Sequence, residues 1–474
     1  MEFTKEINRL LSGLLIAFFI VAGSSTYWAI IGQRSILLRD DNPRAVEAEA
    51  SIRRGSIWDT HDILLVQSLV REDGSVERKY LHDSISSAVG YFSLRYGVGG
   101  IESAYDAILR GDSANKNVES YFTQDILHHP QVGSDIRLTL DSSIQEGAVS
   151  AMQDHHGAIV IMRARDGAVI SLISLPTFDA NTLDNNWDLL RDAPGKPFFN
   201  RALQGLYQPG GTFQTPLMVA AFLTNHPIDI PIAEAGTPIS INDLTLGCAI
   251  TPPYHDLTLM EAYQYACPRA FSNLANQINK SSLDTIIMSF QSITNFTLNR
   301  FTAAPGSVSQ DNPGTPEQSE TDDDFIATIL GQGAIATNPL GMATFMTSIL
   351  NEGNASSPYI LDAVREPSSP WQTSPRADRT IPVMTQNAAS AMYDLMIQNA
   401  QSGSMIAAHR NHVTIGGHAA LSYSGDKTQA WFIGFTTPTD GESLAIAVVI
   451  ENVDDVAIPS DIAREILIIV SSAK

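Results

Sequence analysis

From Leu10 to Gln33 the chain runs for 24 residues without a charge and is rich in Leu, Ile, Ala and Phe. As a helix rising about 1.5 Å per residue, such a run covers the ~30 Å hydrocarbon core of a bilayer. It divides the chain into a short tail of residues 1–9, a span of residues 10–33, and a large remainder on the far side. Tyr27 and Trp28 lie near the distal end of the span, where amphipathic rings favour the membrane interface. A cleaved signal peptide is the alternative, with Ala22-Gly23-Ser24 supplying small residues for a cleavage site. Lys5 and Arg9 before the run are balanced by Arg34 and Arg39 after it, so charge leaves the orientation open.

The 474 residues, 44% of them hydrophobic, are enough for a large core and more than one domain. Lys and Arg number 29 against 51 acidic residues, a formal charge of −22 that describes a solvated, acidic exterior. That balance excludes a nucleic-acid partner, because phosphate contacts need clustered cations. No cofactor or metal pattern is present: the pairs His128-His129 and His155-His156 lack the spacing that brings ligands to one helix face. The two cysteines, Cys248 and Cys267, are either a disulfide or two buried thiols, and their spacing does not decide between these.

Along the chain, a charged stretch at residues 39–49 suits a stalk, and Arg54-Gly55-Ser56-Ile57-Trp58-Asp59 then leads into Ile63-Leu64-Leu65-Val66. Gly157 to Met162 and Ala168 to Ile173 are apolar, β-rich runs around Asp166-Gly167, which predicts a hairpin. After Tyr207-Gln208-Pro209-Gly210-Gly211-Thr212-Phe213-Gln214 comes a helix that is apolar nearly all round and is therefore buried. Pro305 to Asp324 reads as a low-complexity surface insert, and Arg365 to Pro382 as a Pro/Ser-rich loop. Ala430 to Phe435 and Leu444 to Ile450 read as strands, and Asp461 to Val470 as a terminal helix. Helices between two sets of antiparallel strands make an α+β fold.

These segments, taken in order from Arg54 to the C-terminus, resemble the class B penicillin-binding proteins. The carriers are Arg54-Gly55-x-Ile57-x-Asp59, Leu138-Thr139-x-Asp141-x-x-x-Gln145, Pro176 to Asn181, Pro209-Gly210 and Thr337 to Ala343. The resemblance implies a stalk and pedestal (dimerisation-like) domain over 34–135 and a transpeptidase-like domain over 136–474, with an antiparallel sheet and a helical lobe. In the pedestal, Arg54 and Asp59 are expected to form structural ion pairs.

The family's acyl transfer requires Ser-x-x-Lys, Ser-x-Asn and Lys-Thr-Gly around one cleft. Serine is a weak nucleophile at neutral pH, and a lysine three residues on, one helical turn away, takes its proton. In this chain Gly211 stands at the serine position and Gln214 at the lysine position. Thr212 aligns with the family's threonine, and about 100° of helix rotation turns its hydroxyl away from the cleft. In the second motif Ala266 and Pro268 replace serine and asparagine, with Cys267 between them. The third motif falls on His418-Ala419-Ala420, or on Gly417-His418-Ala419 one register earlier, and His418 is expected at the surface. Thus Gly211, Gln214, Ala266, Pro268, Gly417 and His418 hold vestigial cleft positions, and no catalytic residue is assigned.

The resemblance implies a single-pass protein of the bacterial plasma membrane with most of the chain outside the cytoplasm. It also implies partnership with a multi-spanning peptidoglycan glycosyltransferase and with division or elongation proteins. With the cleft emptied, the expectation is a catalytically inactive scaffold or regulator of wall synthesis. Two alternatives stand: a module that binds muropeptides or β-lactams reversibly, and a transpeptidase with Cys267 or Thr212 as a non-standard nucleophile.

Overall fold

Strands that are apolar on both faces need a covering layer on each side, and five strands here have one. They form a single antiparallel sheet in the order Thr414–Ser424, Lys427–Thr437, Leu444–Glu451, Gly157–Arg163, Val169–Leu175. Alternation along each strand sends neighbouring side chains to opposite faces. One face carries Ile433, Ala447 and Val160, paired across three strands, and meets the helical lobe. The other carries Phe432, Val448 and Ile159 and meets helices Ser142–Met152 and Ala457–Ser472. This double cover explains why these strands alternate poorly in polarity. The lobe contains helices Gln214–Leu223, Pro268–Gln277, Pro339–Leu350 and Gln386–Ser402. The architecture is α+β.

The computed structural model describes residues 2–28, 49–72, 74–112, 131–241, 244–294, 322–333, 335–375, 380–408, 413–425, 427–438 and 441–472. The expected stalk (except Glu49), the distal end of the span, His128-His129 and residues 305–321 of the insert lie outside them. The chain divides into two compact units, Met1–Arg53 with Leu69–Glu77 and Asn115–Val132, and the remainder. In the smaller unit, helix Glu2–Tyr27 contains an unburied stretch, Ile7–Tyr27, long and apolar enough to cross a membrane.

In the larger unit, the Arg-Gly-x-Ile-x-Asp segment enters a second sheet, where Ile57–Trp58 pairs in parallel with Asp135–Leu138. Arg54 forms the expected ion pairs, to Glu102 at 2.9 Å and Asp106 at 2.6 Å. Asp59 does not. Its carboxylate accepts from the backbone N–H groups of His61 (2.8 Å) and Ile63 (2.7 Å) and from the Ser142 hydroxyl (2.7 Å). A buried carboxylate is satisfied as well by oriented dipoles as by a cation, and a turn lies two residues away to provide them. Asp141 caps helix Ser142–Met152 by accepting from Ser143 and Ile144. The Gln145 side chain is clamped to Leu172 through both its donor and its acceptor. The stretch from Arg365 to Pro382, expected as a loop, contributes edge strands Gln372–Thr373 and Thr380–Pro382. Proline is tolerated at such edges because no further neighbour needs its missing donor.

Candidate functional site

Gly211, Gln214, Gly417 and His418 come together where the lobe meets strand Thr414–Ser424. Gly210 begins a 3-10 turn, Gly210–Phe213, that runs into helix Gln214–Leu223. Its φ of +55° suits glycine. The space around it demands glycine too, since a Cβ there would stand 2.2 Å from the Leu421 carbonyl oxygen. The turn is thereby pressed against the strand. A Cβ built at Gly211 would stand 2.7 Å from the Cβ of Ala420, closer than real carbon contacts allow, and 3.7 Å from Nε2 of Gln214. Space that a side chain at 211 would need is therefore taken by a methyl group of the third-motif strand. Gln214 is buried, and its Oε1 has no hydrogen-bond partner among the described residues.

His418 contradicts the expectation of a surface histidine: its side chain is fully buried. Strand register is the reason. His418 pairs with Ile433, which pairs with Ala447, so the ring is on the lobe-facing side with them. It stacks on Tyr263 with centroids 4.1 Å apart and planes 15° from parallel. Nδ1 lies 3.2 Å from Nδ2 of Asn399, and Nε2 lies 3.2 Å from the Gly211 carbonyl oxygen. An amide donor on one side and a carbonyl acceptor on the other assign the neutral tautomer protonated at Nε2. Burial agrees, pushing the imidazole pKa down to about 3, with the Gly211 carbonyl opposing. His418 therefore supplies no positive charge to an anionic ligand near neutral pH. The Tyr263 hydroxyl shares a hydrogen bond with Thr215 (3.0 Å), and burial raises its pKa.

The second motif begins three residues after Tyr263 and runs into lobe helix Pro268–Gln277. Ala266 and Pro268 are buried, Ala266 with a left-handed φ of +51° and Pro268 at the first turn of helix Pro268–Gln277. Cys267 is bonded to Cys248 in a disulfide, so it carries no thiol. The Thr212 hydroxyl donates to the Pro209 carbonyl at 2.6 Å inside the turn. Gly417 sits on the strand facing the Ile433 carbonyl, and its own carbonyl accepts from Asn399. No lysine or arginine hydrogen-bonds to any of these positions among the described residues.

The structure thus brings Gly211, Gln214 and His418 together and leaves Thr212 and Cys267 tied to other partners. Sequence reasoning missed Ala420, Asn399 and Tyr263. Ala420 was legible in principle as an alanine where the family has the glycine of Lys-Thr-Gly. Asn399 and Tyr263 lie 19 and 155 residues from His418, and no local pattern marks them.

A family model for the penicillin binding protein transpeptidase domain matches residues 157–467, and one for the penicillin binding protein A dimerisation domain matches residues 54–136. Among curated proteins, peptidoglycan D,D-transpeptidase PbpA of Mycolicibacterium smegmatis is 24% identical over 481 residues, covering 95% of this chain and 94% of the relative. Penicillin-binding protein A from M. tuberculosis, solved as an imipenem acyl-enzyme complex, superposes with a TM-score of 0.75. That likeness is 23% identical and covers 89% of this chain and 99% of the other. Pseudomonas aeruginosa PBP2 superposes at 0.72 with 20% identity, over 89% of this chain and 96% of that one. Likenesses at this identity establish the fold.

Proposed function

The chain belongs to the penicillin binding protein transpeptidase family, and we propose that it serves peptidoglycan synthesis as a membrane-anchored scaffold or regulator that forms no acyl-enzyme. The observation that carries this reading is the occupied space at position 211, where Ala420 stands 2.7 Å from any Cβ that glycine might be given. Its mycobacterial relative holds imipenem as an acyl-enzyme, which requires a nucleophilic side chain. This chain has none there, and Gln214 is no base. Losing a serine nucleophile costs on the order of 10⁶ in kcat in a serine protease. The substitute nucleophiles are also engaged, Thr212 by the Pro209 carbonyl and Cys267 by Cys248.

The framework around the cleft supports a retained docking role. Arg54, Glu102 and Arg78 form a fully buried charge cluster in the pedestal segment, an arrangement that tolerates little drift. In this proposal the N-terminal helix anchors the chain in the plasma membrane, and the pedestal engages a multi-spanning glycan polymerase of the division or elongation machinery. Deleting the protein should disperse the wall-synthesis complex, with rescue by the full chain and none by the anchored pedestal alone. Normal assembly in cells lacking the protein would sink the proposal.

A further inference from the structure

A cavity of about 530 Å³ opens in the larger unit, and none of its lining residues is a position of the three motifs. Tyr91, Phe178 and Phe198 supply aromatic surface and pack against one another with centroids 5.0–5.9 Å apart. Asn200 and Gln204 supply neutral hydrogen-bonding groups, and among the described residues no charged one lines it. Its volume is within the roughly 300–1,000 Å³ of small-ligand pockets.

The polar groups are held in place and have capacity to spare. Asn200 donates to the Ser87 carbonyl at 2.8 Å and accepts from the Leu203 N–H at 3.1 Å, leaving one N–H and one lone pair. Gln204 accepts from the Asn200 N–H at 3.0 Å, which fixes its amide and leaves its NH₂ group to donate.

Each ligand class asks for something different. Carboxylates and phosphates call for a cation, and this lining has none. A purely apolar ligand would leave the amides unmet. Sugars have C–H faces that lie on aromatic rings and rims of hydroxyl and acetamido groups that pair with amides and hydroxyls. We propose that this cavity binds an uncharged, β-linked N-acetylhexosamine segment of a glycan chain. The proposal rests on the reading that the chain serves peptidoglycan synthesis, and it gives that scaffold a way to register polymer.

The test is titration of full-length protein, in a detergent without sugar groups, with tetra-N-acetylchitotetraose and with cellotetraose, followed by calorimetry and saturation-transfer NMR. Saturable binding of the acetylated probe is expected, at least about tenfold tighter than cellotetraose, since unmet amides penalise the analogue that lacks partners for them. Ser103 lines the cavity and is exposed, so Ser103→Trp plugs the mouth without touching the core. It should weaken binding by about tenfold or more with an unchanged unfolding midpoint. Gln204→Ala, also exposed, should weaken it by about threefold to tenfold through one lost hydrogen bond. Absence of saturable binding, equal affinity for cellotetraose, or native affinity in a folded Ser103→Trp protein would each overturn the proposal. None of these outcomes bears on acyl transfer, so a β-lactam adduct elsewhere would sink the inert-scaffold reading and leave this one standing.

Discussion

Two buried polar clusters in the larger unit solve the same problem in opposite ways. In the pedestal segment, Glu102 is completely buried between Arg54 and Arg78, with guanidinium contacts at 2.9 and 2.7 Å and the Tyr80 hydroxyl at 3.3 Å. Burial pushes the Glu102 pKa up, and the two guanidiniums, Arg78 first, more than reverse this, so it stays ionised. At the cleft, every group is neutral. A histidine kept unprotonated stacks on a tyrosine, a glutamine replaces an ammonium, and an alanine fills the place of a side chain. A pedestal built on full charges needs its partners intact. A cleft built on neutral packing is held by close contact, with the Gly211 turn against Ala420 and His418 against Tyr263.

The largest effect should come from removing charge where charge is used. Glu102→Gln leaves two buried guanidiniums facing an uncharged amide, and breaking such a pair costs about 3–5 kcal/mol. Chemical denaturation of the variant measures it, and a loss below about 1 kcal/mol would show that the pedestal cluster is not the rigid element described.

Acid should expose the cleft next. The His418 pKa is near 3 when folded and near 6.5 when unfolded. Between these values the unfolded chain binds the extra proton, so stability rises with pH there. This contribution is fully present above 6.5, declines at up to about 1.4 kcal/mol per pH unit below it, and is gone below 3. His418→Gln should flatten that limb in denaturation curves taken from pH 4 to 7. An unchanged slope would mean that the ring is not held neutral.

Smaller, and more specific to the comparison, is Gly211→Ser. Overpacking against Ala420 should cost about 1–3 kcal/mol, and adding Ala420→Gly should recover most of it. The two substitutions are predicted to be non-additive in a double-mutant cycle, whereas additive effects would mean that they do not touch. Smallest is Thr212→Val, which removes a hydroxyl that satisfies the Pro209 carbonyl and should cost about 0.5–1.5 kcal/mol with no change in ligand binding.

Much of this is legible in the sequence. Apolar runs gave the central strands and the buried helix after Phe213, and the motif positions singled out Gly211 and Gln214. His418 was not legible, because it lies among Gly416, Gly417, Ala419 and Ala420, small residues that give no sign of which face is inward. Its direction is set by pairing with Ile433, a register that only the fold fixes. Asp59 was misjudged for a similar reason. Its ligands are backbone N–H groups of a local turn, which leave no trace in residue types. The strands inside 365–382 depend on neighbours far along the chain and carry weak β-propensity of their own.

In the proposed reading this cleft holds no acyl group. Incubating the native full-length protein with a fluorescent penicillin, denaturing it, and reading intact mass together with gel fluorescence tests that directly. The account predicts unmodified mass and a dark band at every time point. A stoichiometric adduct that survives denaturation and maps to any residue lining the 211–214 turn would contradict it.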